Sequence, residues 1–442
     1  MQQVDTLIYA RWVIPVESNN QEAGAHALDH HAVVVDKGNI IAILPRNEAQ
    51  QQFQSGDIVE LNSHALIPGL INTHTHAAMS LFRGMADDLP LMTWLNDHIW
   101  PAEQKWVDKE FVRDGSMLAI AEMLRGGTTC FNDMYFFPDI TARTAVNSGI
   151  RCCVGLMMID FPTVWAQNVD EYLSKGIAVH DEFKTEPLIS TAFAPHAPYT
   201  VSDAPLRKIR TLADEMDIPI HMHIHETADE VNQAVNSDGK RPLQCLHELG
   251  LLTPRLLAVH MTQLTDEEIA LCAEQGVHII HCPESNLKLA SGFCPVARLI
   301  KAGANIALGT DGASSNNDLD MFGEMRTAAL LAKGVAQDAS ALPAAQALYC
   351  ATMGGAKALG LDNKIGSLTR GKYADITAVD LSDIETQPVF DPVSHLVYCA
   401  GRHQVSDVWV NGNRVLNQRT LSNMDIVSIQ KKCITRQHSL TR

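Results

Sequence analysis

Eight short apolar runs, several ending in histidine or aspartate and alternating with helical segments, predict an α/β fold built on a (β/α)8 TIM barrel. Both ends of the chain carry β-branched hairpin patterns instead, which predicts a small β-sandwich domain formed jointly by the two termini. The expected division is residues 1–66 and 366–442 for the sandwich and 67–365 for the barrel, a sensible partition of 442 residues. Two separate β caps would leave more sheet edges exposed.

In chain order, HAVVVDKGNIIAILP is two β-branched runs around Lys37-Gly38-Asn39, a hairpin signal. The barrel strands follow. LIPGLINTHTH ends at His76, TTCFND at Asp133, and RCCVGLMM comes next. LISTAFAPH ends at His196, and PIHMHIHE carries His221, His223 and His225. RLLAVH ends at His260, VHIIHCPE contains His281, and NIALGTD ends at Asp311. Segments such as DGSMLAIAEMLRGG and APLRKIRTLADEMD supply the helices between them. DITAVDL and VSDVWVNGNRVL, the latter turning at Asn411-Gly412, are the closing strands.

Composition narrows the function. A net charge of -17 argues against a phosphate-binding surface and so against nucleic acid as a partner. No apolar run approaches membrane-spanning length, and the N-terminus lacks the pattern of a secretory signal. The ten cysteines are scattered without a Cys-x-x-Cys pair, as expected of reduced thiols in a cytoplasmic protein.

Residues two apart on a strand share a face, so His74 and His76 point the same way, as two ligands of one ion must. A catalytic metal needs three or four protein ligands and an open position. His223 (or its neighbours His221 and His225), His260 and Asp311 are the further candidates. An aspartate before glycine commonly just starts a turn, but that reading does not explain why so many strands end in a ligand type. One divalent metal per subunit is expected, zinc first, with iron or manganese also suited to such ligands. No lysine lies between Ser190 and His196, so a carbamylated lysine bridging two metals is not available there. Glu226, just past the fifth strand, suits either a general acid and base or a helix start.

The chain resembles the amidohydrolase superfamily over nearly its whole length, and within it the 5-methylthioadenosine/S-adenosylhomocysteine deaminase family. The resemblance rests on PGLINTHTHAAMSLFRGMADDLPLMTWL, IWPAE, APHAPYT, HMHIHETADEV, AVHMTQL, HCPESNLKLASG and GTDGASSNNDLD. It implies His74, His76, His223 and Asp311 as metal ligands, and Glu226 as proton shuttle, with His260 beside the hydrolytic water. It implies Glu103 as the carboxylate on the ribose hydroxyls, with His196, Trp94 and Ser315 as further substrate contacts. The reaction implied is hydrolytic deamination of an adenine nucleoside, and a homodimer or tetramer is implied as the assembly. Arg151 matches a position expected to meet the carboxylate of S-adenosylhomocysteine. The following loop, MMIDFPTVWAQNVDEY, holds no Arg or Lys, which favours methylthioadenosine first, S-adenosylhomocysteine second and adenosine as a further substrate. The competing expectations are a guanine or 8-oxoguanine deaminase, a triazine hydrolase, or a non-catalytic scaffold.

Overall fold

The computed structural model describes residues 1–17 and 26–440. Eight parallel strands follow one another in chain order around a nearly closed barrel. They are β1 (Leu70–Thr75), β2 (Thr128–Asp133), β3 (Arg151–Met158), β4 (Ile189–Pro195), β5 (Ile220–Ile224), β6 (Leu256–His260), β7 (His278–His281) and β8 (Asn305–Leu308). Every residue of β1, β2 and β3 is buried, which is why these strands read as near-continuous apolar runs. Side chains knit the seam between β8 and β1: Thr73 Oγ1 donates to the Leu308 carbonyl at 2.6 Å, and Asn72 Nδ2 to Thr310 Oγ1 at 2.7 Å. Asp108, Asn168, Thr227 and Thr265 cap helices of the outer layer through their side chains, satisfying N–H groups that would otherwise be orphaned.

The two ends of the chain meet in one nine-stranded mixed sheet. Its middle strand, Asp57–Pro68, pairs in parallel with Thr6–Val13 and antiparallel with Ile376–Asp380, then continues through Gly69 into β1. Two hairpins end in two-residue turns with positive φ at both positions, Lys37-Gly38 (+49°, +78°) and Asn411-Gly412 (+49°, +78°). The turns touch, and a Cβ on Gly412 would lie 2.7 Å from the Gly38 Cα. Asn39, expected within the first turn, instead opens the strand Asn39–Pro45. One apolar cluster, including Ile8, Val33, Leu66, Ile376 and Trp409, draws on strands from both ends of the chain. Among the described residues, no helix is long and apolar enough to cross a membrane.

Arg151 lies at the first residue of β3, at the far end of that strand from the pocket described below. Its Nε and Nη2 donate to the two carboxylate oxygens of Asp375 at 3.0 and 3.3 Å, and Nη1 donates to the Pro187 carbonyl at 2.8 Å. The Tyr373 ring covers the guanidinium at 5.0 Å. Arg151 is therefore a buried clasp between the barrel and the terminal sheet, and the expectation that it meets a substrate carboxylate is corrected.

Candidate functional site

The polar strand endings converge at the C-terminal mouth of the barrel. One ligand atom each from His74, His76, His223 and Asp311 lies within 4.8 Å of the others. His74 Nε2 and His76 Nε2 stand 3.1 and 3.2 Å from Asp311 Oδ1, and His223 Nε2 stands 3.2 Å from His74 Nε2. A tetrahedron of nitrogen and oxygen ligands around zinc has edges of about 3.3 Å, so these separations fit a single ion.

The opposite ring nitrogens fix which atom is free to bind. His76 Nδ1 donates to the Met134 carbonyl at 2.6 Å, and His223 Nδ1 to the His196 carbonyl at 2.8 Å. His74 Nδ1 faces His221 Nε2 at 2.9 Å. With Nδ1 of each imidazole engaged, all three Nε2 atoms are left as ligands. Asp311 is held equally firmly, Oδ1 by the Gly312 N–H at 2.8 Å and Oδ2 by the hydroxyls of Ser285 and Ser315 at 2.7 and 2.8 Å.

Protonation follows the same geometry. Burial pushes His74 down to about 4. His76 is also buried, but the hydrogen bond and charge of Asp311 overcome that and raise it to about 9. Burial opposes ionisation of Asp311, yet the two imidazoles hold its carboxyl well below the usual range. Asp311 is thus an anionic oxygen and His74 a neutral nitrogen, the forms in which such groups bind a metal.

Glu226 stands at the edge of this cluster. Its carboxyl is raised by burial and partly restored by His260, whose Nε2 is 3.8 Å from Glu226 Oε2. His260 Nδ1 pairs with Asn286 Oδ1 at 2.9 Å, turning Nε2 toward the pocket. The pocket, about 510 Å³, is lined by His76, His223 and Asp311 of the metal-ligand group together with Glu226 and His260. Trp94, Glu103 and His196 also line it, the His196 ring centroid 4.9 Å from that of His223, and its apolar lining includes Trp100, Phe136 and Phe161. Among the described residues, no Arg or Lys lines it. Burial pushes the Glu103 carboxyl up to about 7 against the opposing influence of Tyr135 and His76.

Several placements differ from expectation or add to it. Ser315, expected to touch substrate, is 2% exposed and supports Asp311 from beneath, outside the pocket lining. Of the three histidines offered by the fifth strand, His221 backs His74. His225 turns away to the Gln263 carbonyl and the Leu243 N–H, leaving His223 in the ligand group. Glu230 is missing from the sequence reading. Its two oxygens accept the backbone N–H groups of His225 and Glu226 at 3.0 and 2.7 Å and so fix the loop that carries Glu226. The only sign in the sequence was Thr227-x-x-Glu230, which reads as an ordinary helix start.

Comparison with known proteins places the arrangement in context. The model of the amidohydrolase family matches residues 65–415. A protein of Saccharophagus degradans named 5-methylthioadenosine/S-adenosylhomocysteine deaminase is 50% identical over 97% of this chain and 95% of its own length. A crystal structure described as an adenosine deaminase from Xanthomonas campestris with bound zinc superposes with a TM-score of 0.97. It is 54% identical and covers 100% of this chain and 99% of that one. An atrazine chlorohydrolase from Arthrobacter aurescens, complexed with zinc, gives a TM-score of 0.90 over 98% of this chain and 99% of its own. At 22% identity that likeness concerns the fold alone.

Proposed function

The chain belongs to the amidohydrolase family, and on that footing we propose that it hydrolytically deaminates the adenine ring of 5′-methylthioadenosine, giving 5′-methylthioinosine and ammonia. S-adenosylhomocysteine, giving S-inosylhomocysteine, and adenosine are further substrates. The observation that carries this reading is the 50% identity over 97% of the chain to a protein of that name, joined to a pocket lined by both Glu226 and Glu103.

The enzyme uses a divalent metal, and we assign zinc, which suits three imidazoles and a carboxylate. His74, His76, His223 and Asp311 are the residues that would hold it. When bound, such an ion lowers the pKa of water toward neutrality. The remaining work falls to the chain. Glu226 takes a proton from the attacking water and delivers it to N1 of the purine, acting as base and then acid. The C6–O bond forms, and the remaining proton of the added hydroxyl then passes by way of Glu226 to the exocyclic amine. The C6–N bond breaks as the C6=O bond forms, and the amine leaves as ammonia. His260, steadied by Asn286, orients the water at C6. Glu103 accepts hydrogen bonds from the ribose hydroxyls, and His196 and Trp94 wall the nucleoside. With Arg151 engaged elsewhere and no cation lining the pocket, the 5′ tail meets an apolar surface. A thioether methyl suits that surface better than an amino-acid carboxylate.

The test is ammonia release by the zinc-loaded protein with methylthioadenosine, S-adenosylhomocysteine, adenosine and guanine. Methylthioadenosine is expected to lead in kcat/KM by about tenfold over S-adenosylhomocysteine, the worth of roughly one poorly compensated polar group. Guanine is expected to give none. Turnover of guanine alone would overturn the nucleoside reading, and a lead for S-adenosylhomocysteine would overturn the apolar-tail argument.

A further inference from the structure

Tyr135 stands two residues past the end of β2, in a short stretch that already serves the site. Asp133 Oδ1 accepts from Thr75 Oγ1 and the Ala77 N–H, at 2.9 and 2.7 Å, and Met134 offers its carbonyl to His76. Tyr135 is 4% exposed and lines the pocket, and Phe136 packs against it with ring centroids 5.2 Å apart. Its hydroxyl has no hydrogen-bond partner among the described residues. A buried donor without an acceptor is costly and seldom retained without reason. Burial, together with the charge of Glu103, keeps the phenol protonated and therefore a donor. The phenol lies beside the Glu103 carboxylate and favours its ionised form.

The chemistry of a ribose 2′,3′-diol matches this pair of groups. Two vicinal hydroxyls offer two O–H donors, which one carboxylate can accept. The hydroxyl oxygens keep lone pairs, and in a buried site those need a donor. In its ionised form Glu103 supplies acceptors only, and among the described residues no Arg or Lys lines the pocket. We propose that the Tyr135 hydroxyl donates to a ribose hydroxyl oxygen and, with Glu103, makes the pocket selective for ribonucleosides over deoxynucleosides. This rests on the reading of Glu103 as the ribose carboxylate and extends it to a second residue.

The experiment compares wild type, Tyr135→Phe and Glu103→Gln in their zinc-loaded forms on adenosine and 2′,3′-dideoxyadenosine. Turnover is paired with calorimetric Kd values for inosine and 2′,3′-dideoxyinosine. Phenylalanine keeps the ring and removes only an unpartnered hydroxyl, so metal content and melting temperature serve as controls for folding. The expected result is a loss of about tenfold or more in kcat/KM for adenosine and in affinity for inosine, with the loss confined to ligands that carry the hydroxyls. Equal losses on ribo- and dideoxy ligands, or none on either, overturn the role of Tyr135. If wild type prefers the ribo ligand and Glu103→Gln removes that preference while Tyr135→Phe keeps it, the proposal falls and the reading of Glu103 stands. A wild type that binds inosine and dideoxyinosine equally overturns both. The binding measurement decides between these even if no nucleoside yields ammonia.

Discussion

At the scale of single residues, Glu226 and Glu103 are two buried carboxyls with different tasks in one pocket. Both are raised by desolvation, and both have a positively polarised neighbour that restores part of their acidity. Replacing Glu226 with Gln removes the proton carrier and leaves the ligand group untouched. The zinc content is therefore expected to stay at one per chain, while kcat falls about 10²- to 10⁴-fold. Metal analysis beside a turnover assay checks this, and normal turnover would exclude the shuttle role. Glu103 gives a pH effect of definite sign. With its carboxyl raised to about 7, the charged acceptor form is lost as pH falls through that value. KM for adenosine is expected to rise on that descent, while KM for 2′,3′-dideoxyadenosine stays flat. A bound cation favours the charged form and moves the midpoint lower. Parallel pH profiles for both nucleosides would show that another group governs binding.

At the scale of elements, the site is made where strands stop being strands. His225, His260, Met261 and Asp311 all adopt positive φ, +53°, +73°, +50° and +65°, just beyond or at the ends of β5, β6 and β8. Such backbone is unfavourable for non-glycine residues and persists only where surrounding bonds over-determine it. The hydroxyls of Ser285 and Ser315 hold Asp311, the carboxylate of Glu230 holds His225, Asn286 holds His260, and the Ile224 carbonyl holds the Met261 N–H. Gly309 shows how closely the elements approach, for a Cβ there would lie 2.8 Å from both the Cβ and the N of His74. Gly309→Ala is expected to displace His74 and lower zinc occupancy, with a fall in melting temperature. Full metal content in that variant would show that the seam can relax. Much at this scale was legible beforehand, because a parallel strand buried on both faces announces itself as an apolar run and the ligand types stand at its end. RCCVGLMM is β3 residue for residue. Glu230, Asn286 and Tyr135 were not legible, since each acts through a loop conformation or a neighbour distant in sequence. Ser315 sits on the loop the sequence indicates, with Asp311 as its partner. A hydroxyl four residues after Asp311 can turn toward the pocket or back toward the carboxylate, and spacing alone does not choose.

Across the whole molecule, Arg151 and Asp375 tie the barrel to the terminal sheet, with Asp375 Oδ1 also accepting the Asn411 N–H at 2.7 Å. A cation on a strand within the barrel reads equally well as a substrate contact or as such a tie. The answer depends on which end of β3 it occupies and on a partner 224 residues away. Arg151→Met leaves Asp375 buried without its partner and is expected to cost about 3–5 kcal/mol of stability. KM for S-adenosylhomocysteine should be unchanged, which steady-state kinetics beside a denaturation curve would show. A selective rise in that KM would return Arg151 to the pocket.

The middle strand of the terminal sheet, Asp57–Pro68, acquires one neighbour early and the other, Ile376–Asp380, some 300 residues later. At 5–20 residues per second, synthesis leaves that flank of the strand unpaired for about 15 to 60 s while the whole barrel is being made. An unpaired strand edge is a template for the wrong partner. Throughout that interval the nascent chain carries one flank open to its neighbours on the ribosome.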